Sequence, residues 1–118
     1  MEHLFVYGTL IPGQENDFVL KNIPGNWQKA TTKGFFDAKG WHKTQGFPAV
    51  ILDKNGETIH GYLFSSNEIS KHWKKIDDFE TIMYQRVLTT VFLENKTEIL
   101  AYIYELNSSL AHGIQLQK

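Results

Sequence analysis

The sequence of 118 residues contains no cysteine. Without thiol groups the chain forms no disulfide bonds and offers neither a thiolate nucleophile nor a zinc–thiolate site. Five histidines stand at positions 3, 42, 60, 72 and 112, and no two of them have the i, i+4 spacing of a helical metal site. Phosphate-loop and dinucleotide-binding motifs are also missing. The sequence therefore predicts no metal and no cofactor, and the lack of cysteine fits the cytoplasmic location that we expect.

The chain also has little net charge and no long apolar run. Twelve basic residues stand against thirteen acidic ones, which leaves a net charge of −1. Binding to a nucleic-acid backbone needs a basic stripe that this composition does not provide. The longest apolar runs are too short to cross a bilayer, and the N-terminus lacks the basic and apolar regions of a signal peptide. We therefore expect neither a nucleic-acid partner nor a membrane partner.

What the sequence does contain is enough apolar material for a folded core. Hydrophobic residues make up 42% of the chain and aromatic residues 14%, which is typical of a globular protein. The length suits one domain, and no linker composition divides it. We predict a single domain over residues 1–118, in which residues 107–118 carry no strong signal and form a loose tail.

The most informative stretch is an N-terminal strand that runs into a glycine turn. Residues 4–7 are apolar and aromatic, as a largely buried strand requires. Gly8 allows another group to approach the backbone closely, Thr9 adds a hydroxyl group, and residues 12–13 form a Pro-Gly turn. One interpretation is an ordinary turn. The other is a small concavity in which backbone N–H groups hold an anionic or carbonyl oxygen.

Elsewhere the pattern alternates between strands and short helices. The Asn-Gly pair in residues 53–56 indicates a hairpin turn, and Ser65 with Glu68 has the spacing of a capping box. Beyond residues 4–7, strands are predicted at 27–37, 47–52, 58–65, 84–93 and 97–106, and helices at 14–22 and from residue 68 onward. This succession predicts an α+β domain with a mixed, strongly curved sheet or small barrel and short helices.

Glu80 stands out among the carboxylates. Ile69, Trp73 and Ile76 share one helical face, and a helix that continued to Glu80 would return this glutamate to that face three turns after Ile69. Partial burial would raise the pKa of its carboxyl group and suit it to proton transfer near neutral pH. Two alternatives remain open: the helix ends by Asp78 and leaves Glu80 on an exposed loop, or Arg86 pairs with Glu80.

Tyr84 and Arg86 lie on the same face of the next predicted strand. Tyr84 could donate a hydrogen bond into a pocket. For Arg86 a structural ion pair is favoured over a role in holding a substrate carboxylate. In the same segment, Asp77 and Asp78 could be solvated charges at the helix end.

Five segments, in order, resemble the gamma-glutamylcyclotransferase-like family. Residues 5–10 resemble its Tyr-Gly-Ser/Thr-Leu signature, residues 47–50 its Tyr-Pro-Ala strand and residues 60–64 its Gly-x-Leu-Tyr strand. Residues 76–86 are similar to its Leu-Asp-x-Phe-Glu-Gly…Tyr-x-Arg segment, and residues 101–104 to its final Ala-x-x-Tyr strand. The resemblance covers residues 3–106. One departure affects the backbone after the glutamate, because Thr81 stands where the family usually has glycine.

The resemblance implies an enzyme that converts a small gamma-glutamyl substrate to 5-oxoproline and releases an amine or amino acid, without a cofactor. It makes Glu80 the catalytic acid/base and implies a substrate site formed by Tyr7, Gly8, Thr9, Leu10 and Tyr84. The leaving group stays open among an amino acid, cysteinylglycine, a lysine ε-amine and a polyamine. Two non-enzymatic alternatives also remain: a binding module for a gamma-glutamyl or amino-acid-like ligand, and a structural domain in which Glu80 belongs to an ion pair.

Overall fold

A computed structural model describes residues 1–37, 49–81 and 83–107. In chain order, its elements are β1 (Glu2–Val6), α1 (Phe18–Lys21), β2 (Asn26–Asp37), β3 (Ala49–Leu52), β4 (Glu57–Ser66), a 3₁₀ helix (Ile69–His72), α2 (Trp73–Glu80), β5 (Tyr84–Leu93) and β6 (Glu98–Leu106). Residues 40–46, for which the sequence predicts a loop, lie outside the described residues, as do the start of the predicted strand at Phe47 and the tail from residue 108.

Five of the strands close into a barrel. Their order is β2-β4-β1-β6-β5, and β5 pairs back onto β2 at Thr31 and Ala30. The sheet is mixed because β1 runs parallel to β6, whereas the other pairs are antiparallel. The α+β barrel with short helices that the sequence predicts is therefore confirmed.

Strand β1 is the centre of the fold and is buried on both faces. Phe5 belongs to an apolar cluster to which the strands contribute, inside the barrel. Its neighbours Leu4 and Val6 belong to a second cluster, which also contains residues of the helices. This double burial explains the continuous apolar run at the N-terminus. The strand ends at Val6, one residue before the predicted end, so that Tyr7 begins the loop.

The turn at residues 53–56 forms, but its flanking strands have a different partner from the one predicted. The Gly56 N–H donates to the Asp53 carbonyl at 2.8 Å. Both flanking strands pair with β2: β3 pairs with the end of β2, from Gly34 to Asp37, and β4 pairs with the part of β2 that precedes it. The Asn-Gly pair thus correctly predicts the turn, but the prediction of a simple hairpin is wrong. The residues of a turn carry no information about β2, which lies between the two flanking strands in the sheet.

Helix α2 continues to Glu80, as the apolar periodicity predicts. Ile69, Trp73 and Ile76 are all buried against the barrel. The predicted capping box does not form: the residue that caps the 3₁₀ helix is Glu68, which makes no side-chain capping hydrogen bond. The hydroxyl oxygen of Ser66 accepts the Glu68 N–H at 2.9 Å, whereas Ser65 is hydrogen-bonded to His3.

The first helix is shorter than the predicted 14–22. It spans Phe18–Lys21 and places Leu20 in the core, with Ile23 buried just beyond it. An amphipathic helix over residues 14–22 predicts that Phe18 faces inward, but 59% of it is exposed. A helix of one turn turns few side chains inward, and here Leu20 takes that position.

Candidate functional site

A cavity of about 400 Å³ lies where β1 ends, α2 ends and β5 begins. Its volume is in the range of small-molecule sites. All six sequence-predicted site residues lie on its wall, although more than 70 positions separate the first from Glu80. The lining residues are Leu4, Phe5, Val6, Tyr7, Gly8, Thr9, Leu10, Asn16, Phe79, Glu80, Thr81, Met83, Tyr84 and Tyr104.

The loop at residues 8–10 forms part of the cavity wall. A single turn closes it, in which the Ile11 N–H donates to the Gly8 carbonyl at 3.3 Å. Within the described parts of the chain, no protein group accepts a hydrogen bond from the N–H groups of Gly8, Thr9 and Leu10. Adjacent unpaired N–H groups of this kind can bind an anionic or carbonyl oxygen.

Asn16 holds this loop in place. Its side-chain amide donates to the Thr9 hydroxyl at 3.0 Å, and its backbone N–H donates to the Thr9 carbonyl at 3.0 Å. Leu10 anchors the other side of the loop because it is buried in the core. Sequence reasoning missed Asn16, and no local motif around it could have revealed the contact.

Glu80 is the last residue of α2 and faces the cavity. Burial, and secondarily the charge of Asp77, raises the pKa of its carboxyl group from 4.5 to about 7. Its carboxylate has no hydrogen bond or ion pair with any residue in the described ranges. Within the part of the chain that the structure describes, this desolvated carboxyl group therefore has no protein partner, a setting that is typical of functional carboxyl groups.

Three tyrosines surround the same space. Burial and the neighbouring charge of Glu80 raise the pKa of Tyr84 to about 12. Burial, with Tyr84 and Glu80 nearby, raises the pKa of Tyr7 well above its ordinary value. The Tyr7 hydroxyl donates to the Tyr104 carbonyl, so it braces the cavity wall. Each of these hydroxyl groups stays protonated at neutral pH.

Arg86 does not pair with Glu80. Its guanidinium donates to the Asp77 carboxylate at 2.9 Å and 3.3 Å, and the Tyr104 hydroxyl donates to the same carboxylate at 2.6 Å. The proposed Arg86–Glu80 pair is thus wrong, and so is the view of Asp77 as a merely solvated charge. The preference for a structural role of Arg86 agrees with its contacts.

The backbone after Glu80 takes an unusual conformation. Thr81 has φ 66° and ψ −174°, a region that is essentially restricted to glycine. Its hydroxyl oxygen accepts the Met83 N–H at 3.3 Å. The departure from glycine that the sequence showed at this position therefore coincides with a strained residue.

Neither a metal centre nor a membrane helix emerges from the described residues. Over 1–37, 49–81 and 83–107, no group of three or more His, Asp or Glu side chains could hold a metal ion. No helix in these ranges is long and apolar enough to span a bilayer.

The end of the barrel at β1 thus carries a cavity of a size suited to a small molecule, lined by residues 8–10 and by the buried carboxyl group of Glu80. Residues 4–117 match the family described as "Gamma-glutamyl cyclotransferase, AIG2-like". The chain belongs to this family, in agreement with the resemblance seen in its motifs.

Individual relatives agree with this assignment. The chain is 32% identical over 112 residues to the Bacillus subtilis protein named "Putative gamma-glutamylcyclotransferase YkqA", and this match covers 93% of the chain but only 37% of that relative's length. The crystal structure of YkqA superposes with a TM-score of 0.68 at 25% identity, over 99% of this chain and 43% of YkqA. A mouse AIG2-like protein shares the fold with a TM-score of 0.69 at 23% identity, over 89% of this chain and 76% of its own.

Proposed function

We propose that this chain is an enzyme that cyclises a gamma-glutamyl group to 5-oxoproline and releases the attached amine or amino acid, with Glu80 as the general acid/base. The observation that carries the proposal is the position of Glu80. Its carboxyl group has a pKa of about 7 and no hydrogen-bonding partner among the described residues, and it lines the same cavity as residues 8–10. A proton carrier and an oxyanion site are the two elements that this reaction needs.

The reaction is intramolecular, so the substrate itself supplies the proximity of its reacting groups. The α-ammonium of the gamma-glutamyl group loses a proton to Glu80, and the neutral amine nitrogen then attacks the γ-carbonyl carbon. A carbon–nitrogen bond forms and closes the five-membered ring. The original amide bond then breaks as the carbonyl re-forms, and Glu80 returns the proton to the departing nitrogen. The ring nitrogen still carries a second proton, which it gives to the ionised Glu80, and Glu80 passes it to the released amine. The lactam is then neutral, the amine leaves as an ammonium ion and Glu80 is a carboxylate again. A pKa near the working pH suits a group that must both accept and donate a proton.

The N–H groups of Gly8, Thr9 and Leu10 would hold the α-carboxylate of the substrate or the oxyanion that develops on the γ-carbonyl oxygen. Their rigidity supports this role, because the Asn16 side chain is hydrogen-bonded to the Thr9 hydroxyl. A loop fixed before the substrate arrives spends little free energy on reorganisation during the reaction. Tyr84 would line the substrate's other side and, as a protonated phenol, would not repel its carboxylate.

The test is to measure 5-oxoproline release from a panel of gamma-glutamyl compounds with the wild-type chain and the Glu80→Gln variant. The panel contains gamma-glutamyl amino acids, glutathione, a gamma-glutamyl-ε-lysine and a gamma-glutamyl polyamine. Glutamine keeps the size of the side chain but transfers no proton, so kcat should fall by roughly 10²–10⁴-fold. KM should change much less, because the backbone of residues 8–10 would hold the substrate.

A matched control is Glu94→Gln, which makes the same chemical change at an exposed turn between β5 and β6. This variant should turn over substrate at the wild-type rate. Full turnover by Glu80→Gln would refute the catalytic role. A wild-type chain that binds gamma-glutamyl compounds in calorimetry but releases no 5-oxoproline would instead identify a binding module.

A further inference from the structure

Next to the cavity, the side chains of Asp77, Arg86 and Tyr104 form a cluster. The Asp77 carboxylate accepts two hydrogen bonds from Arg86 and one from Tyr104, at distances between 2.6 and 3.3 Å. The guanidinium also lies over the Trp73 ring at 4.3 Å and over the Tyr102 ring at 4.8 Å. Such stacking fixes the guanidinium plane in addition to its ion pair.

The cluster joins the end of α2 to two strands of the barrel. Asp77 lies on α2, Arg86 on β5 and Tyr104 on β6. The Asp77 carbonyl also accepts the Thr81 N–H at 3.1 Å, which closes the helix directly after Glu80. Through its own carbonyl, Tyr104 accepts the Tyr7 hydroxyl on the cavity wall. The same cluster therefore fixes both the turn that carries Glu80 and the wall that faces it.

Asp77 precedes Glu80 by three residues, a spacing that places two side chains next to each other on a helix. We propose that Asp77 is a positioning residue for Glu80: its ion pair with Arg86 holds the last turn of α2 against β5 and β6, and the balance of these two charges decides how strongly Glu80 keeps its proton. The activity part of this inference rests on the proposed function. The proton-affinity part does not.

The electrostatic surroundings of Glu80 are simple enough to support this inference. The tyrosines near it are Tyr7 in the loop after β1, Tyr84 on β5 and Tyr104 on β6, and the pKa of each is raised by burial. All three are neutral at neutral pH. Among the described residues, the charged group that acts on the pKa of Glu80 is Asp77 on α2, and the carboxylate of Asp77 is paired with Arg86.

Asp77 itself stays ionised in this setting. Burial opposes its ionisation, but the hydrogen bonds from Arg86 and Tyr104 outweigh burial and leave the pKa of Asp77 below its ordinary value. Its negative charge therefore persists over the whole range in which Glu80 titrates, and Arg86 offsets only part of it.

Two substitutions should move Glu80 in opposite directions. Asp77→Asn removes the negative neighbour and leaves Arg86 uncompensated, so the titration midpoint of Glu80 should fall by about one pH unit. Arg86→Gln removes the compensating cation and leaves Asp77 ionised, so the midpoint should rise. The measurement is a ¹³C NMR titration of the Glu80 carboxyl carbon in each variant, assigned by its loss in Glu80→Gln.

Asp78→Asn is the matched control for the aspartate variant. Asp78 is the next residue on the same helix, and its carboxylate pairs with exposed Lys74 at 3.2 Å. Removal of this solvated charge should leave the Glu80 midpoint within about 0.2 pH units of the wild type, because water screens exposed charges. Arg86→Lys is the second control, since it keeps the positive charge and should leave the midpoint close to the wild-type value.

The expected results separate this role from a merely structural one. If the cluster only held the fold together, Asp77→Asn and Arg86→Gln would both lower the melting temperature and leave the Glu80 midpoint unchanged, which would overturn the inference. Shifts in the same direction would overturn it as well. If Asp77→Asn does not fold, the comparison of Arg86→Gln with Arg86→Lys decides the question.

The titration needs no turnover, so an inactive wild-type chain would refute the proposed function and leave this inference testable. In an active chain, the acidic limb of the kcat profile should follow the NMR midpoint in each variant.

Discussion

Replacement of Glu80 by glutamine should stabilise the protein, and the gain should depend on pH. The folded state raises the pKa of this carboxyl group from 4.5 to about 7. Folding therefore favours the protonated form, and the ionised form costs stability. Below pH 4.5 the group is protonated in both the folded and the unfolded chain, so its ionisation costs nothing. Between pH 4.5 and 7 the cost grows, and above pH 7 it is constant.

The size of the effect follows from the two pKa values. They differ by about 2.5 pH units, and each unit corresponds to about 1.4 kcal/mol, so the ceiling is roughly 3.5 kcal/mol. Water that enters the open cavity reduces this figure, and we expect a gain of about 1–3 kcal/mol at pH 8. For a chain of this size, such a gain raises the melting temperature by roughly 4–10 °C. At pH 4 the two proteins should melt together.

The assay is urea denaturation of wild type, Glu80→Gln and Glu94→Gln at half-unit steps from pH 4 to pH 8. The free-energy difference between Glu80→Gln and wild type should rise with pH and level off above pH 7, at unchanged m-value. The Glu94→Gln difference should stay flat. A Glu80→Gln protein that is less stable than wild type at pH 8, or a difference that does not vary with pH, would refute the reasoning, because an ionised Glu80 would then have a stabilising partner.

Three further substitutions test the surroundings of the cavity. Thr81→Gly should raise the free energy of unfolding in denaturant by about 1 kcal/mol, because the strain that glycine removes at φ 66° outweighs the lost hydrogen bond from the Met83 N–H. Thr81→Ala keeps the Cβ atom and should show no gain. Gly61→Ala should lower the free energy of unfolding by about 2–3 kcal/mol or more, and with it the melting temperature, since the added Cβ would lie 2.4 Å from the Val6 carbonyl oxygen. Asn16→Ala should raise KM for the gamma-glutamyl substrate several-fold more than it lowers kcat, because it releases the Thr9 hydroxyl from its hydrogen bond.

Much of the fold could be predicted because local patterns agree with burial. The apolar run in β1 is continuous because both faces of that strand are covered. The alternation of apolar residues in β6 indicates a strand with one buried side. The i, i+4, i+7 spacing that runs from the 3₁₀ helix into α2 indicates one buried helical face. Phe18 shows the limit of this reasoning: an apolar residue in a one-turn helix can stay exposed, and there it packs edge-to-face on Phe79.

The site was predictable only in part, since its contacts join distant segments. Glu80 could be singled out from its spacing on the helix, and the resemblance supplied the loop at residues 8–10. The true partner of Arg86 could not be read from sequence. On the sequence alone, either Asp77 or Glu80 could pair with Arg86. Only the orientation of α2 on the barrel selects Asp77. The strand partner of β3 was missed for the same reason, because pairing with β2 is a long-range property.

The composition of the last turn of α2 offers a physical signal that local reasoning can use. The C-terminal end of a helix carries a partial negative charge and favours basic residues. Here the last four residues include Asp77, Asp78 and Glu80, and none of them is basic. A strained Thr81 follows at once. These features oppose stability at the same point of the chain, where a lysine and a glycine would serve the fold better.

Destabilising features that collect at one point are explained when they serve a common purpose. The negative end of the helix and the charge of Asp77 both disfavour the ionised form of Glu80, so they keep its proton available near neutral pH. The left-handed turn at Thr81 ends the helix at once, which leaves Glu80 at the cavity and lets β5 begin three residues later. Arg86 limits the cost by pairing with Asp77, not with Glu80. A cation paired directly with Glu80 would have stabilised the domain further and lowered the pKa of the very carboxyl group on which the proposed proton transfer depends.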